Sequence, residues 1–263
     1  MAHLFDARLV PNVLADQSFQ ATGIYIGQDQ ALVFAVIDPR RHSIDVYPAR
    51  VLSATATSLG SHFFTNGPQM APPFGAGRFW QVLFIIFGGR WRPFGPVVSG
   101  GQVLHPGVGN NKSYFGRTGA GHFTDYVIAA DPATGIEAIG GLVRIVANGG
   151  VVTDADNFTL GQAIGICAWG LRPVGPIATD GWLTETPYIE PDQANVLDGL
   201  IVVAGSNQSG YNPWLATAML GVGVRDAVAT DGSDSVIMGW GATLKIPCSF
   251  IKNAIQRWGF CCR

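Results

Sequence analysis

Charge is what this chain has least of. Only 13% of its 263 residues are charged, and the formal net charge is −2. An ordinary soluble domain carries roughly a quarter charged residues. The basic residues are scattered and form no stripe able to neutralise phosphates, which excludes a nucleic-acid partner. Long apolar runs are also missing. The longest, Phe79 to Phe87, is too short to span a bilayer as a helix and reads as a buried strand. The four cysteines, Cys167, Cys248, Cys261 and Cys262, include no Cys-x-x-Cys pair, so a zinc site is not expected. The adjacent Cys261 and Cys262 near the end read as tail thiols, or as a site of intermolecular disulfide or lipid attachment. His62, His105 and His122 show no ligand spacing. Neither a Gly-x-Ser-x-Gly nucleophile motif nor a phosphate-cradling Gly-x-x-x-x-Gly-Lys loop occurs. Residues 1–20 lack a basic segment followed by an apolar one, so no export signal is expected, and the sequence leaves the compartment open between the cytoplasm and export by another route.

Hydrophobic residues, at 48%, together with 35 glycines and 16 prolines point to a sheet-rich, turn-rich protein. A surface this poor in charge favours self-association, and a homo-oligomer is expected. The tail Phe260-Cys261-Cys262 is a candidate contributor to that interface. Along the chain, Leu32 to Ile37 reads as a buried strand, with Ser43 to Tyr47 returning beside it after a turn. Further strands are expected at 79–87, 113–117, 126–130, 142–146, 163–169 and 200–204, and a strand–turn–strand at 96–103. Ala147-Asn148-Gly149-Gly150 is a hairpin turn with Val151-Val152 opposite. Residues 53–62 read as a short helix or loop, and 68–77 and 172–193 as loops. Helices are expected at 212–220, with Asn212 as cap and Pro213 first inside, and at 249–258. No repeat or linker divides the chain. Residues 1–29 form an N-terminal extension and 30–263 a single domain.

The most informative stretch is Ala227-Val228-Ala229-Thr230-Asp231-Gly232-Ser233-Asp234-Ser235-Val236. It reads as strand, polar turn, strand, with two carboxylates and two hydroxyls within five positions. Such a cluster suits carbohydrate, phosphate or cation chemistry; an Asp-Gly hairpin that only reverses the chain has the same pattern.

Several segments, in this order, resemble the phosphodiester glycosidase family. They are Phe64-Thr65-Asn66-Gly67, the strand and Asn-Gly turn from Leu142 to Gly149, Gln162-Ala163-Ile164-Gly165, the helix Trp214 to Leu220 with its Gly221–Gly223 turn, and Ala227 to Ser235. Together they cover roughly residues 30 to 258. The resemblance implies an α+β fold of mostly antiparallel sheets with few short helices. It also implies hydrolysis of a sugar-1-phosphodiester or related glycoside, with a carbohydrate or sugar-phosphate substrate and no redox cofactor. Glycoside cleavage takes two carboxyl groups across the scissile bond. Asp231 is the first candidate, and Glu185 or Asp180, in the polar loop after the Gln162 segment, the second. Asn66, Arg117, Gly232, Ser233, Asp234 and Ser235 are candidate substrate contacts. Three departures stand out: Gln162 replaces the family's arginine, Gly232-Ser233-Asp234 its triple glycine, and Ala204-Gly205 an Asp-Gly. Loss of that arginine weakens phosphate binding, since its planar fork holds two oxygens at once; Arg117 or Arg225 is a candidate replacement. A catalytically silent relative, acting as a carbohydrate-binding or self-assembling structural protein, is the alternative.

Overall fold

The structure, a computed structural model, describes residues 4–48, 61–68, 70–71, 92–109, 112–130, 133–152, 163–174, 197–232, 235–241, 243–247 and 258–263. In chain order the helices are α1 (Leu9–Ala15), α2 (Gln17–Thr22) and α3 (Tyr211–Gly221). The strands are β1 (Ile24–Asp29), β2 (Leu32–Ile37), β3 (Ile44–Pro48), β4 (Phe63–Asn66), β5 (Met70–Ala71), β6 (Arg92–Pro93), β7 (Val97–Ser99), β8 (Gln102–His105), β9 (Ser113–Arg117), β10 (Tyr126–Ala130), β11 (Glu137–Ala147), β12 (Gly150–Val151), β13 (Ile166–Pro173), β14 (Gly199–Ser206), β15 (Asp226–Ala229), β16 (Met238–Trp240), β17 (Thr243–Ile246) and β18 (Trp258–Cys262). The fold is α+β, and the strand pairings of the described residues are antiparallel.

Two sheets do most of the building. The larger runs β1-β2-β14-β13-β15-β11-β7-β8, with β9, β10 and β12 attached through β11. The smaller runs β17-β16-β4-β18-β3. The central strands of the larger sheet are apolar without interruption because both of their faces are covered. Side chains alternate between faces. Phe34, Val36, Val202, Ala204 and Ala168 therefore face α1, α2 and α3, meeting Phe5, Leu9, Val13, Leu215 and Met219. Val33, Ala35, Ile201, Val203, Cys167 and Trp169 face the smaller sheet, meeting Val46, Phe63, Met238 and Phe260. Trp169 is the pivot of that second core. It is fully buried, its ring centroid lies 5.4 Å from Phe115 and 5.1 Å from Phe260, and its indole N–H donates to Thr65 Oγ1 at 2.9 Å.

Several expectations change in three dimensions. The strand at 43–47 does not return beside Leu32–Ile37. It pairs with β18, while β2 pairs with β1 and β14. The tail is not a free end: Trp258–Cys262 is an internal strand between β3 and β4, and Phe260, Cys261 and Cys262 are buried. Burial pushes the Cys261 thiol up to about 12 and Cys262 well above its usual value. An accessible disulfide or lipidation site, and a docking tail, are both ruled out for these residues. Trp258 is thus in a strand rather than at the end of a helix; the rest of the helix expected at 249–258 lies outside the described residues, as does the strand expected at 79–87. The Asp231 turn is not a hairpin either. β15 belongs to the larger sheet and β16 to the smaller, so the turn carries the chain from one sheet to the other. The strand expected at 163–169 begins at Ile166 and runs on to Pro173. The hairpins at 97–105 and 137–151 form as expected, the second through Asn148 and Gly149 with φ of 50° and 75°. No helix among the described residues is long and apolar enough to cross a membrane.

Candidate active site

One edge of the larger sheet gathers the polar residues that the strands themselves do not use. There β15 ends in Thr230-Asp231-Gly232, β14 ends in Ser206-Asn207, β13 begins after Ala163-Ile164-Gly165, and α3 starts at Tyr211. β4 of the smaller sheet ends beside them at Asn66-Gly67.

Asn66 and Asp231 meet here. The Asn66 side-chain amide donates to the Asp231 carbonyl at 2.8 Å, and the Asp231 N–H donates to the Gly67 carbonyl at 3.0 Å. On its other side, Asn66 Oδ1 accepts from Ile237 N–H at 3.2 Å, and Asn66 N–H donates to Ile237 O at 3.1 Å. One buried carboxamide thereby bridges both ends of the inter-sheet crossing. Its side chain is fully buried and both polar atoms bond backbone. Asn66 therefore holds the turn in place from beneath. It does not take the left-handed conformation, which among the described non-glycine residues belongs to Gln30 and Asn148.

The turn closes on itself through Ser235 N–H donating to Gly232 O at 3.2 Å. Gly232 also packs against Gly165: a Cβ on Gly232 would lie 2.9 Å from the Gly165 carbonyl oxygen. A Cβ on Gly165 would in turn collide with the backbone of Ser206 and Asn207. The absence of side chains at both positions lets three backbone segments approach within contact distance. Below the turn, Thr230 N–H and Oγ1 both donate to Cys167 O, at 2.9 and 3.4 Å. Burial raises the Cys167 thiol to about 12, so it is a neutral core group rather than a nucleophile.

Two buried polar side chains beside this turn have no hydrogen-bond partner: both carboxamide atoms of Asn212, and Ser235 Oγ. Asn212 was expected to cap α3. Gly210, with φ of 92°, occupies that position instead. Asn212 is a helix residue whose backbone N–H donates to Ile164 O at 3.0 Å and whose side chain points into the protein. Sequence reasoning missed its buried position. The available signal was a polar residue flanked by Tyr211, Pro213, Trp214 and Leu215, which also matches a cap.

Arg117 stands elsewhere. Its guanidinium donates to Asp45 Oδ1 at 2.8 Å, Gly119 O at 2.7 Å and Ile44 O at 3.4 Å, and none of these bonds goes to Asn66, Asp231 or Gly232. Asp45 also pairs with Arg263. Nearby Glu137 accepts from Val46 N–H at 2.8 Å, Gly100 N–H at 2.8 Å and Ser99 Oγ at 3.2 Å. This group fastens β3 to β9, β11 and the chain end. Arg225 precedes β15 at its opposite end, about 20 Å of strand from Asp231 at the usual rise per residue. Glu185, Asp180, Ser233, Asp234 and Gln162 lie outside the described residues.

No protein-family model and no curated protein matches this sequence. Solved structures do match in fold. The catalytic domain of zebrafish N-acetylglucosamine-1-phosphodiester alpha-N-acetylglucosaminidase, auto-inhibited by its pro-peptide, superposes with a TM-score of 0.57 at 14% identity, over 90% of this chain and 81% of that one. A hypothetical protein from Synechocystis gives 0.53 at 11% identity, over 91% of this chain and 62% of its own. The chain thus shares its α+β fold with a phosphodiester glycosidase catalytic domain, at a sequence identity where the likeness is one of architecture.

Proposed function

We propose that the Asp231 edge is the active site of a hydrolase acting on a sugar-1-phosphodiester or a related glycoside. The observation that carries this reading is the Asp231–Gly232 turn. It places a carboxylate-bearing residue at a strand end, fixes it through Asn66 and Gly67, and sits in a fold like that of the zebrafish catalytic domain. In this reading Asp231 acts at the anomeric carbon as base or nucleophile. The bond from that carbon to the phosphate oxygen breaks, water supplies the new hydroxyl, and a phosphomonoester leaves. A phosphate leaving group needs little protonation and more hydrogen-bond donation. Gly232, with Ser233 and Asp234, supplies the substrate contacts of the turn, and Glu185 or Asp180 the second carboxyl group; Ser235, a candidate contact from the sequence, is fully buried and does not reach a substrate. Asn66 acts through the turn as a positioning residue. The engagement of Arg117 with Asp45 argues against that arginine as the donor to the phosphate. The test is sugar release from a panel of sugar-1-phosphodiesters, run in parallel with Asp231→Asn. Release by the native chain and its loss in the variant support the assignment; equal release by both removes it.

A second reading, a silent relative that self-assembles, is favoured by one feature. Edge strand β8 and the loop after it expose Val103 (62%), Leu104 (45%) and Val108 (41%), an apolar edge without a charged residue among Gln102–His105. Light scattering at micromolar concentration separates the readings: a monomer that releases sugar excludes the second.

A further inference from the structure

The same sheet edge carries a concavity beside the Asp231 turn, lined by neither Asp231 nor Gly232. It is an open cleft of about 400 Å³ between the tip of the β1–β2 hairpin, the loop joining β14 to α3, and β17. That volume falls within the range of small-ligand pockets, about 300–1,000 Å³. Four carboxamides line it, from Gln28, Gln30, Asn207 and Gln208, with the Tyr211 ring and the Lys245 ammonium. No aspartate or glutamate does. We propose that this cleft binds a neutral glycan, independently of whether the Asp231 turn hydrolyses anything.

The lining chemistry selects that class. A carboxamide presents a donor and an acceptor side by side, as a pair of sugar hydroxyls does, so the two match without either being charged. A carboxylate-free wall offers nothing to a cation. A single ammonium provides little for a polyanion, and this one is partly occupied: Lys245 Nζ lies 4.6 Å from the centroid of the Trp240 ring. It is a fixed donor for a hydroxyl or ring oxygen. Tyr211 adds an aromatic ring, held at 90° to Trp214 with centroids 5.7 Å apart.

The carboxamides are also arranged for an outside partner. Gln28 Nε2 donates to Gln30 O at 3.2 Å and Asn207 Nδ2 donates to Pro247 O at 3.1 Å, which orients both groups while leaving their oxygens to accept. Among the described residues, the side chains of Gln30 and Gln208 have no hydrogen-bond partner. Gln30 is held at the hairpin tip with a φ of 53°, a left-handed conformation that glycine or asparagine adopts more cheaply. A strained backbone carrying a glutamine into a cleft lined by other carboxamides indicates that the side chain is what that position is for. The cleft borders the Asp231 turn on one side: Asn207, which lines it, abuts Gly165, and Gly165 packs against Gly232.

The experiment titrates the full chain with chitotriose, cellotriose, maltotriose and mannotriose, following intrinsic tryptophan fluorescence and calorimetry, with inorganic phosphate as the anionic probe. The expected result is saturable binding of at least one trisaccharide with a Kd of about 1 mM or tighter. Gln208→Ala should weaken it about tenfold with unchanged Tm, and Asp231→Asn should leave it unaltered. Gln30→Gly is the sharper variant, because it relieves the backbone strain: Tm should rise while glycan affinity falls. Absence of binding by all four trisaccharides overturns the proposal. So does phosphate binding that a trisaccharide fails to displace and that Lys245→Ala abolishes, or a Gln30→Gly variant with raised Tm and full affinity.

Discussion

The two ends of β15 use the same residue type for opposite purposes. At its start, Asp226 pairs with Arg144 and accepts from Asn148 N–H at 3.2 Å, while Gly149 N–H donates to Arg225 O at 2.8 Å. That end is an acid neutralised by an arginine and stitched to a hairpin. At its finish, Asp231 is fixed through its backbone by Asn66 and Gly67. Beneath it lie the unpartnered atoms of Asn212 and Ser235. Buried polar groups normally find partners, because an unmet one costs roughly 1–3 kcal/mol. Both ends bear a cost of this kind, since Arg144 Nε at the first is also buried without a partner; the first end offsets it with an ion pair, while the second holds its acid through the backbone.

The sharpest way to break this comparison is to neutralise each acid in turn. Asp231→Asn is expected to lower turnover of a cleaved sugar phosphodiester by about 10²–10⁴-fold with little change in Tm. Asp226→Asn should leave kcat within a factor of about two. Steady-state kinetics on both variants would refute the division if the two rates fell together.

Next in size is Asn66→Ala. It strands the Asp231 carbonyl and the Ile237 N–H in the interior, so a loss of about 2–4 kcal/mol is expected in urea unfolding, with the m-value retained. A loss below about 1 kcal/mol would show that the clamp contributes little.

Alkaline pH probes two buried groups of the core, one bonded to the Asp231 end of β15 and one to β3. Cys167, bonded through its carbonyl to Thr230, has its thiol raised from 9.0 to about 12, and Tyr126 is raised from 10.0 to about 12, both chiefly by burial. A group whose folded value is raised keeps its proton in the folded state after the unfolded chain has lost it. Its contribution to stability is intact below pH 9 and is lost as pH climbs towards 12. Denaturant midpoints should therefore fall across that window. In the same experiment, Cys167, Cys261 and Cys262 should resist a thiol reagent until the protein unfolds.

A smaller effect, of opposite sign, is expected from Asn212→Leu. Replacing a buried, unpartnered carboxamide with an apolar group of similar size should stabilise by about 1 kcal/mol. Destabilisation in urea would argue against the cost assigned to that end. The smallest effect belongs to Asp226→Ala: its ion pair with Arg144 is partly exposed, and about 1 kcal/mol or less is expected in the same measurement.

Much of this architecture was legible locally. Leu32–Ile37 and Leu200–Ala204 announce themselves as doubly covered strands, since an uninterrupted apolar run this short has to bury both faces. The Asn148-Gly149 hairpin follows from the positive φ that those two residues accept. The Asp231 turn stood out as a polar interruption between apolar segments. What could not be read was which strand meets which. Ser43–Tyr47 looked like the return of its neighbour, but its partner is β18, more than two hundred positions away. Phe260-Cys261-Cys262 looked like a loose tail and is an internal strand. Arg117 looked available, yet Asp45 and two carbonyls hold it. Asn212 looked like a cap and is buried.

The α+β class was what the family resemblance implied; taken by itself, the sequence determined a sheet-rich, turn-rich protein, the position of most described strands and the place of the polar turn. Each of these depends on a window of a few residues: alternation, β-branching, an Asp-Gly or Asn-Gly pair. The tertiary structure alone decided the division into two sheets, the closing of the smaller one by the C-terminal strand, and the split between polar residues spent on the backbone and those left over beside Asp231. Partner choice depends on burial summed over segments far apart in the chain, and on hydrogen bonds whose two halves lie as much as 221 residues apart, so no local pattern encodes it.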